Sequence, residues 1–231
     1  MKSKRLSKAK RLSLDIITAL PQPVIETILC LLLIREAART SILARDWRYK
    51  WTNIPKLVFS KPNGRQIMET SKHIPALHKV MSLRQDPIHE FTFSIDVDCF
   101  SKTGLPSCEY NLPFSVFSLH HLTKLYLIWC GLDHQPAFNG FGILVVLSLD
   151  ILWISRKTLL HLLSSCPSLK SFRLRFSNLE PEIEFVKVIL PKSPKLKKVS
   201  IKSVVKKDQE PGMLKTLLRT PRVSGVEIDV V

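Results

Sequence analysis

The chain has 231 residues, 45% hydrophobic and 23% charged, which suits one or two folded domains with a sizeable core. Thirty-five Lys and Arg against 19 Asp and Glu leave a formal net charge of +16, a field that suits nucleic acid, an acidic membrane surface or an acidic protein without choosing among them. Composition excludes more than it selects: only 7 glycines and 3 tyrosines argue against a low-complexity chain, and five cysteines, Cys30, Cys99, Cys108, Cys130 and Cys166, are odd in number and form no CxxC pair.

No Cys/His cluster has zinc-ligand spacing, and His120-His121 stand alone, so no metal and no cofactor is expected. Reduced thiols fit a cytosolic or nuclear protein. No stretch reaches the roughly eighteen apolar residues of a membrane span: 28–34 is too short and 144–154 is broken by Asp150. The opening residues lack the apolar core of a signal peptide. Nucleus and cytoplasm, with no membrane partner, are the expected setting. Lys2, Lys4, Arg5, Lys8, Lys10 and Arg11 make residues 1–13 a basic leader, read either as a nuclear-import signal or as a solvated tail.

Residues 20–51 form an apolar run with charges at intervals. Val24/Ile25, Ile28/Leu29 and Leu31/Leu32 recur at helical spacing, and Pro21 and Pro23 stand where a helix tolerates proline, in its first turn. Residues 35–41 are alanine-rich, and Leu43, Trp47 and Trp51 fall at i, i+4 and i+8. Three short helices are predicted. A unit that small buries too little surface alone, so it should lean on a neighbour or hold a partner.

These residues resemble a plant F-box. Asp15, Leu20, Pro21, Val24, Ile25, Ile28 and Leu29 match the family pattern, followed by Arg39-Thr40-Ser41, Trp47-Arg48, Trp51, Ile54-Pro55 and Leu57-Val58-Phe59. Two positions depart: Leu33 replaces the proline that separates the first two helices, and Asp46 replaces a basic residue. The resemblance implies a partner, the Skp linker subunit of a cullin-based ubiquitin ligase. Leu20, Pro21, Ile25, Ile28, Leu29, Leu32, Leu43, Trp47 and Trp51 are the residues expected to meet it, as apolar anchors in a groove. Residues 14–59 are assigned to the F-box.

Residues 60–87 read as a linking helical region. Lys61-Pro-Asn-Gly-Arg65 is a turn, and Ile67, Ile74, Leu77, Val80 and Met81 follow at roughly helical spacing, with a helix starting anew near Pro75.

Residues 88–231 repeat the frame L-x-x-L-x-L. It appears at Leu122/Leu125/Leu127, Leu144/Leu147/Leu149, Leu169/Phe172/Leu174 and Leu196/Val199/Ile201, with first positions 22, 25 and 27 residues apart. Weaker copies stand at Ile88/Phe91/Phe93 and Val223/Val226/Ile228, so six parallel strands are predicted, with helices over 156–165, 181–190 and 211–219 between them. Strand-helix alternation also fits a doubly wound sheet, but the fixed frame and the lack of a glycine-rich phosphate loop favour a solenoid. CPSLKSFRL and SPKLKKVSI resemble plant F-box leucine-rich repeats, and 182–196 resembles the FBD region that closes many of them. The fold class is therefore α/β: a small N-terminal three-helix F-box, then a short leucine-rich-repeat solenoid of parallel strands alternating with helices.

No GxSxG, P-loop, HExxH or dinucleotide turn is present, so a non-catalytic adaptor is expected rather than an enzyme. The x positions of the frame face away from the core: Lys124, Tyr126 and Ile128, then Val146, Ser148 and Asp150, then Ser171, Arg173 and Arg175, then Lys198, Ser200 and Lys202. Four of the last six are basic, and Lys192, Lys195, Lys197, Lys206 and Lys207 lie near them in the chain. They read either as a face for an acidic protein substrate or as a solvated edge. Nucleic acid is the weaker alternative partner, because stacking platforms and DNA-reading motifs are missing.

Overall fold

The computed structural model describes residues 19–60, 73–84, 86–94, 112, 114–128, 132, 138–139, 141–151, 155–176, 195–203 and 227–230. The basic leader, the turn at 61–65 and the helical segments expected over 181–190 and 211–219 lie outside them.

Helix α1 spans Gln22–Cys30. Pro21 caps it in an extended conformation, its carbonyl accepting from the Val24 and Ile25 amides at 2.9 and 3.2 Å, and Pro23 falls in the first turn. Neither proline removes a hydrogen bond, because the first amides of a helix have no partner within it. The Leu31 and Leu32 amides then bond three residues back, to Ile28 and Leu29, and tighten the helix to its end.

Leu33 turns the chain at φ −63°, ψ 147° and starts α2, Ile34–Arg39, its carbonyl accepting from the Glu36 and Ala37 amides, both at 2.9 Å. That φ is the one a proline ring imposes, so leucine occupies the backbone shape of the residue it replaces.

The third α-helix predicted across Leu43, Trp47 and Trp51 is not formed. Three separate 3-10 turns stand there, Thr40–Ile42, Arg45–Trp47 and Lys50–Thr52. Ala44, extended at φ −156°, ψ 161°, and Tyr49, at φ −122°, ψ 4°, divide them. Both tryptophans are nevertheless buried. A spacing of four fits one turn of an α-helix but sets side chains about 120° apart in a continuous 3-10 helix; here the two rings stand on separate turns divided at Tyr49.

Seven strands follow in the described residues: β1 Lys56–Ser60, β2 Glu90–Ser94, β3 Lys124–Ile128, β4 Val146–Ile151, β5 Ser171–Phe176, β6 Lys198–Ser203 and β7 Glu227–Val230. They pair in parallel in chain order within one sheet. Six were predicted. The additional one is β1, formed from a segment assigned to the F-box, where Ile54, Leu57 and Phe59 carry the same frame as the later repeats.

A recurring backbone contact joins the units. The carbonyls of Pro55, His89, Thr123, Val145 and Lys170 each accept from two successive amides of the next repeat, at 2.8 to 3.1 Å. Each unit thus depends on the one before it, which is the physics of a solenoid.

Inward positions stack into three apolar rows. Leu57, Phe91, Leu125, Leu147, Phe172 and Val199 form one, and Phe59, Phe93, Leu127, Leu149 and Leu174 the next. Ile54, Ile88, Leu122, Leu144, Leu169 and Leu196 supply the third, ahead of the strands. Each such side chain contributes about 1.5–3 kcal/mol by leaving water.

Helix α3, His73–Leu83, stands between β1 and β2 with Pro75 in its first turn. Helix α4, Arg156–Ser164, stands between β4 and β5, and the Ser155 side chain accepts from the Thr158 amide at 3.1 Å to cap it. Leu159, Leu162 and Leu163 of α4 are buried. At the front, α2 packs on β1, and one buried cluster runs from Ile25 through Leu57 to Val199. Arg84, just after α3, donates to the carbonyls of Ile54 and Asp86 and ties the linking helix to the entry of β1.

Candidate functional site

Two surfaces stand out. The first belongs to the helical front. On α1, Ile25 and Leu29 point into the core and Leu32 packs half-buried against it, whereas Val24, Ile28 and Leu31 lie one residue earlier at the same spacing and stay open to solvent. A second outward pair, Ile42 and Leu43, follows α2. Leu31 and Ile42 are 83% and 87% exposed, values that isolated side chains of this size reach with no covering neighbour.

The nine residues expected at the linker surface therefore divide. Ile25, Leu29, Trp47 and Trp51 are core residues that shape the front, buried by the fold itself. Leu20 and Leu32 are half-buried, and Pro21, Ile28 and Leu43 remain accessible. Val24, Leu31 and Ile42 were not among the nine. The spacing that singled out Ile25 and Leu29 applies equally to Val24, Ile28 and Leu31, so the signal was present and its side was ambiguous.

The second surface is the outward face of the sheet. Register sets three rows across it. The first runs Lys56, Glu90, Lys124, Val146, Ser171, Lys198, Glu227; the second Val58, Thr92, Tyr126, Ser148, Arg173, Ser200, Asp229; the third Ser60, Ser94, Ile128, Asp150, Arg175, Lys202.

Part of the charge on the first and third rows is matched within the face. Glu90 bridges Lys56 at 2.9 Å and Lys124 at 3.3 Å, and Arg175 reaches Asp150 at 3.3 Å. At the far end, β7 aligns Glu227 with Lys198 and Asp229 with Ser200. Of the four basic residues expected on the C-terminal half of this face, Arg175 is paired with Asp150. Lys202 is placed by register beside Arg175, and Lys192, Lys206 and Lys207 lie outside the described residues.

A family model described as "FBD-associated F-box protein At5g56370, LRR repeats" matches residues 81–219, more than half the chain. The chain belongs to the plant F-box/FBD/leucine-rich-repeat family. Similar proteins of Arabidopsis thaliana carry the same description. F-box/FBD/LRR-repeat protein At1g13570 is 32% identical over 230 residues, covering 84% of this chain and 55% of that protein. FBD-associated F-box protein At5g56370 is 27% identical over 182 residues, covering 70% and 43%. The chain spans about half the length of these curated relatives.

Within the family pattern, Leu33 is accommodated by its backbone, as described above. Asp46 stands at the mouth of an open cleft of about 480 Å³, with Glu26 of α1, Arg45 and Lys50 also lining it. The Lys50 ammonium donates to Gln22 across that cleft, and Gln22 donates to Glu26 at 2.8 Å. Both signs of charge are present there, so the exchange for an acid at Asp46 leaves no bare acidic patch.

Local electrostatics follow from these contacts. Burial pushes Glu90 up, but hydrogen bonds and charge from Lys56 and Lys124 outweigh it and hold the carboxyl below its ordinary range. Asp150 goes the other way: burial raises it more than Arg175 lowers it. Burial lowers Arg84 to about 10, which still leaves it charged at neutral pH. Cys166, buried with its thiol donating to the Leu162 carbonyl at 3.1 Å, is pushed up to about 12 and stays protonated. Among the described residues no three His, Cys, Asp or Glu side chains gather as metal ligands would, and no helix is long and apolar enough to cross a membrane.

Proposed function

We propose that this chain is a non-catalytic adaptor: its helical front docks on a Skp-type linker, and through it a cullin, while the sheet face holds a protein to be ubiquitinated. The observation that carries the reading is the paired character of α1, whose inner stripe joins the core while Val24, Ile28 and, just past its end, Leu31 stay exposed, as do Ile42 and Leu43 after α2. Exposed apolar side chains gathered within one short stretch of chain suit a surface that a partner covers. Covering Leu31 and Ile42 would contribute on the order of 1–3 kcal/mol each, so the other exposed apolar side chains of the front must add to them before the several kcal/mol that association costs are exceeded. The adaptor's contribution is proximity: it raises the local concentration of target at the transferring subunit and performs no bond chemistry itself.

Pull-down of a purified Skp-type linker by the full chain tests this. The Leu31→Ala/Ile42→Ala variant should retain about tenfold less linker or worse, with an unchanged thermal melt because neither side chain is in the core. A wild-type chain that retains no linker, or a double variant that binds as well as wild type, refutes the reading.

A further inference from the structure

The middle row of the sheet face differs from the rows on either side. Glu90 occupies Lys56 and Lys124 in the first row, and Asp150 occupies Arg175 in the third. Between them Thr92, Tyr126, Ser148, Arg173 and Ser200 stand in register on β2 to β6, and among the described residues their side chains make no hydrogen bond or ion pair. Arg173 is exposed, the other four are half-buried, and hydroxyls flank the guanidinium on both neighbouring strands.

We propose that this middle row is a docking strip for an extended, carboxylate-rich protein segment, with Arg173 as the group that reads its charge. The inference rests on the adaptor reading and specifies the chemistry of the cargo. Adjacent strands lie about 4.8 Å apart, so β2 to β6 span roughly 19 Å, the reach of about six extended residues. A guanidinium with five fixed donors engages a carboxylate through two parallel hydrogen bonds, and Ser148 and Ser200 on either side can donate to the same group or to the backbone beside it. The tyrosine ring two strands away offers an apolar footing.

Charge complementarity favours an acidic partner, given the net +16. It favours protein over nucleic acid because a phosphate backbone presents a charge at every nucleotide. The strip offers one cation and one aromatic ring where a nucleic-acid groove carries a line of each.

The test is fluorescence anisotropy on the full chain at about 0.1 M salt. The probes are a labelled dodecapeptide alternating Glu and Thr, its Gln/Thr counterpart and an oligouridylate of equal length. Wild type should prefer the Glu peptide by about fivefold or more, and Arg173→Gln should abolish that preference. Lys195→Gln/Lys197→Gln, which changes exposed lysines ahead of β6, should keep it. Equal binding of the two peptides, a preference that survives Arg173→Gln, or tighter oligouridylate binding through Arg173 overturns the proposal. Linker retention measured on the same samples separates the two ideas. Retained linker without a peptide preference removes the docking strip alone, and lost linker with an intact preference removes the adaptor reading while the strip stands.

Discussion

The helical front and the repeat sheet convert sequence into structure with different fidelity. In the sheet, alternation decides orientation: residues at the L positions of each frame are buried and those between them face out, from Leu57 on β1 to Val199 on β6. In the front, two apolar stripes run side by side along one nine-residue helix, and only packing decides which goes in. A period of two has two faces and no ambiguity once one is apolar, whereas 3.6-fold spacing leaves a choice of stripe whenever more than half the circumference is apolar.

That contrast is sharpest under truncation. Phe172 is fully buried in the middle of the inward row, so Phe172→Ala should lower stability by about 3–5 kcal/mol in urea unfolding. If it unfolds as easily as a surface variant, the stacked-row account of the sheet fails. The front offers the opposite sign. Leu33 already holds a proline-like φ, so Leu33→Pro should leave the fold intact and raise stability by about 0.4–1 kcal/mol, chiefly by restricting the unfolded chain. A fall in thermal midpoint would show that the turn between α1 and α2 depends on that amide.

The smallest effect belongs to the charged first row of the sheet face. Glu90 ionises more readily folded than unfolded, so its contribution is full above the ordinary carboxylate range and is lost as pH falls through the folded value. Because both lysine partners are substantially exposed, Glu90→Gln should cost only about 0.2–1 kcal/mol at neutral pH. The difference from wild type should vanish in acid. Asp150, shifted upward, pulls the opposite way, so the acid limb is best read as the difference between the two proteins rather than from either curve alone.

The repeat frame made most of the sheet legible, including the outward positions Tyr126, Ser148 and Arg173. β1 escaped because Ile54, Leu57 and Phe59 also satisfy the F-box pattern, and a residue can serve both. The third helix was misread because a spacing of four fits one α-helical turn, while the breaks at Ala44 and Tyr49 carry no glycine or proline to announce them. The ion pairs on the face were hidden because Glu90 and Asp150 meet their partners across strands, 34 and 25 residues away in the chain.

By itself, then, the amino-acid order determined the family, the parallel repeat architecture and the alternation of core and surface, since each follows from spacing along one strand or one turn. Which stripe of α1 stays open, and which cations on the sheet keep their charge to themselves, were decided only when separate segments packed together. Burial and ion pairing depend on neighbours distant in sequence, and no local period encodes them.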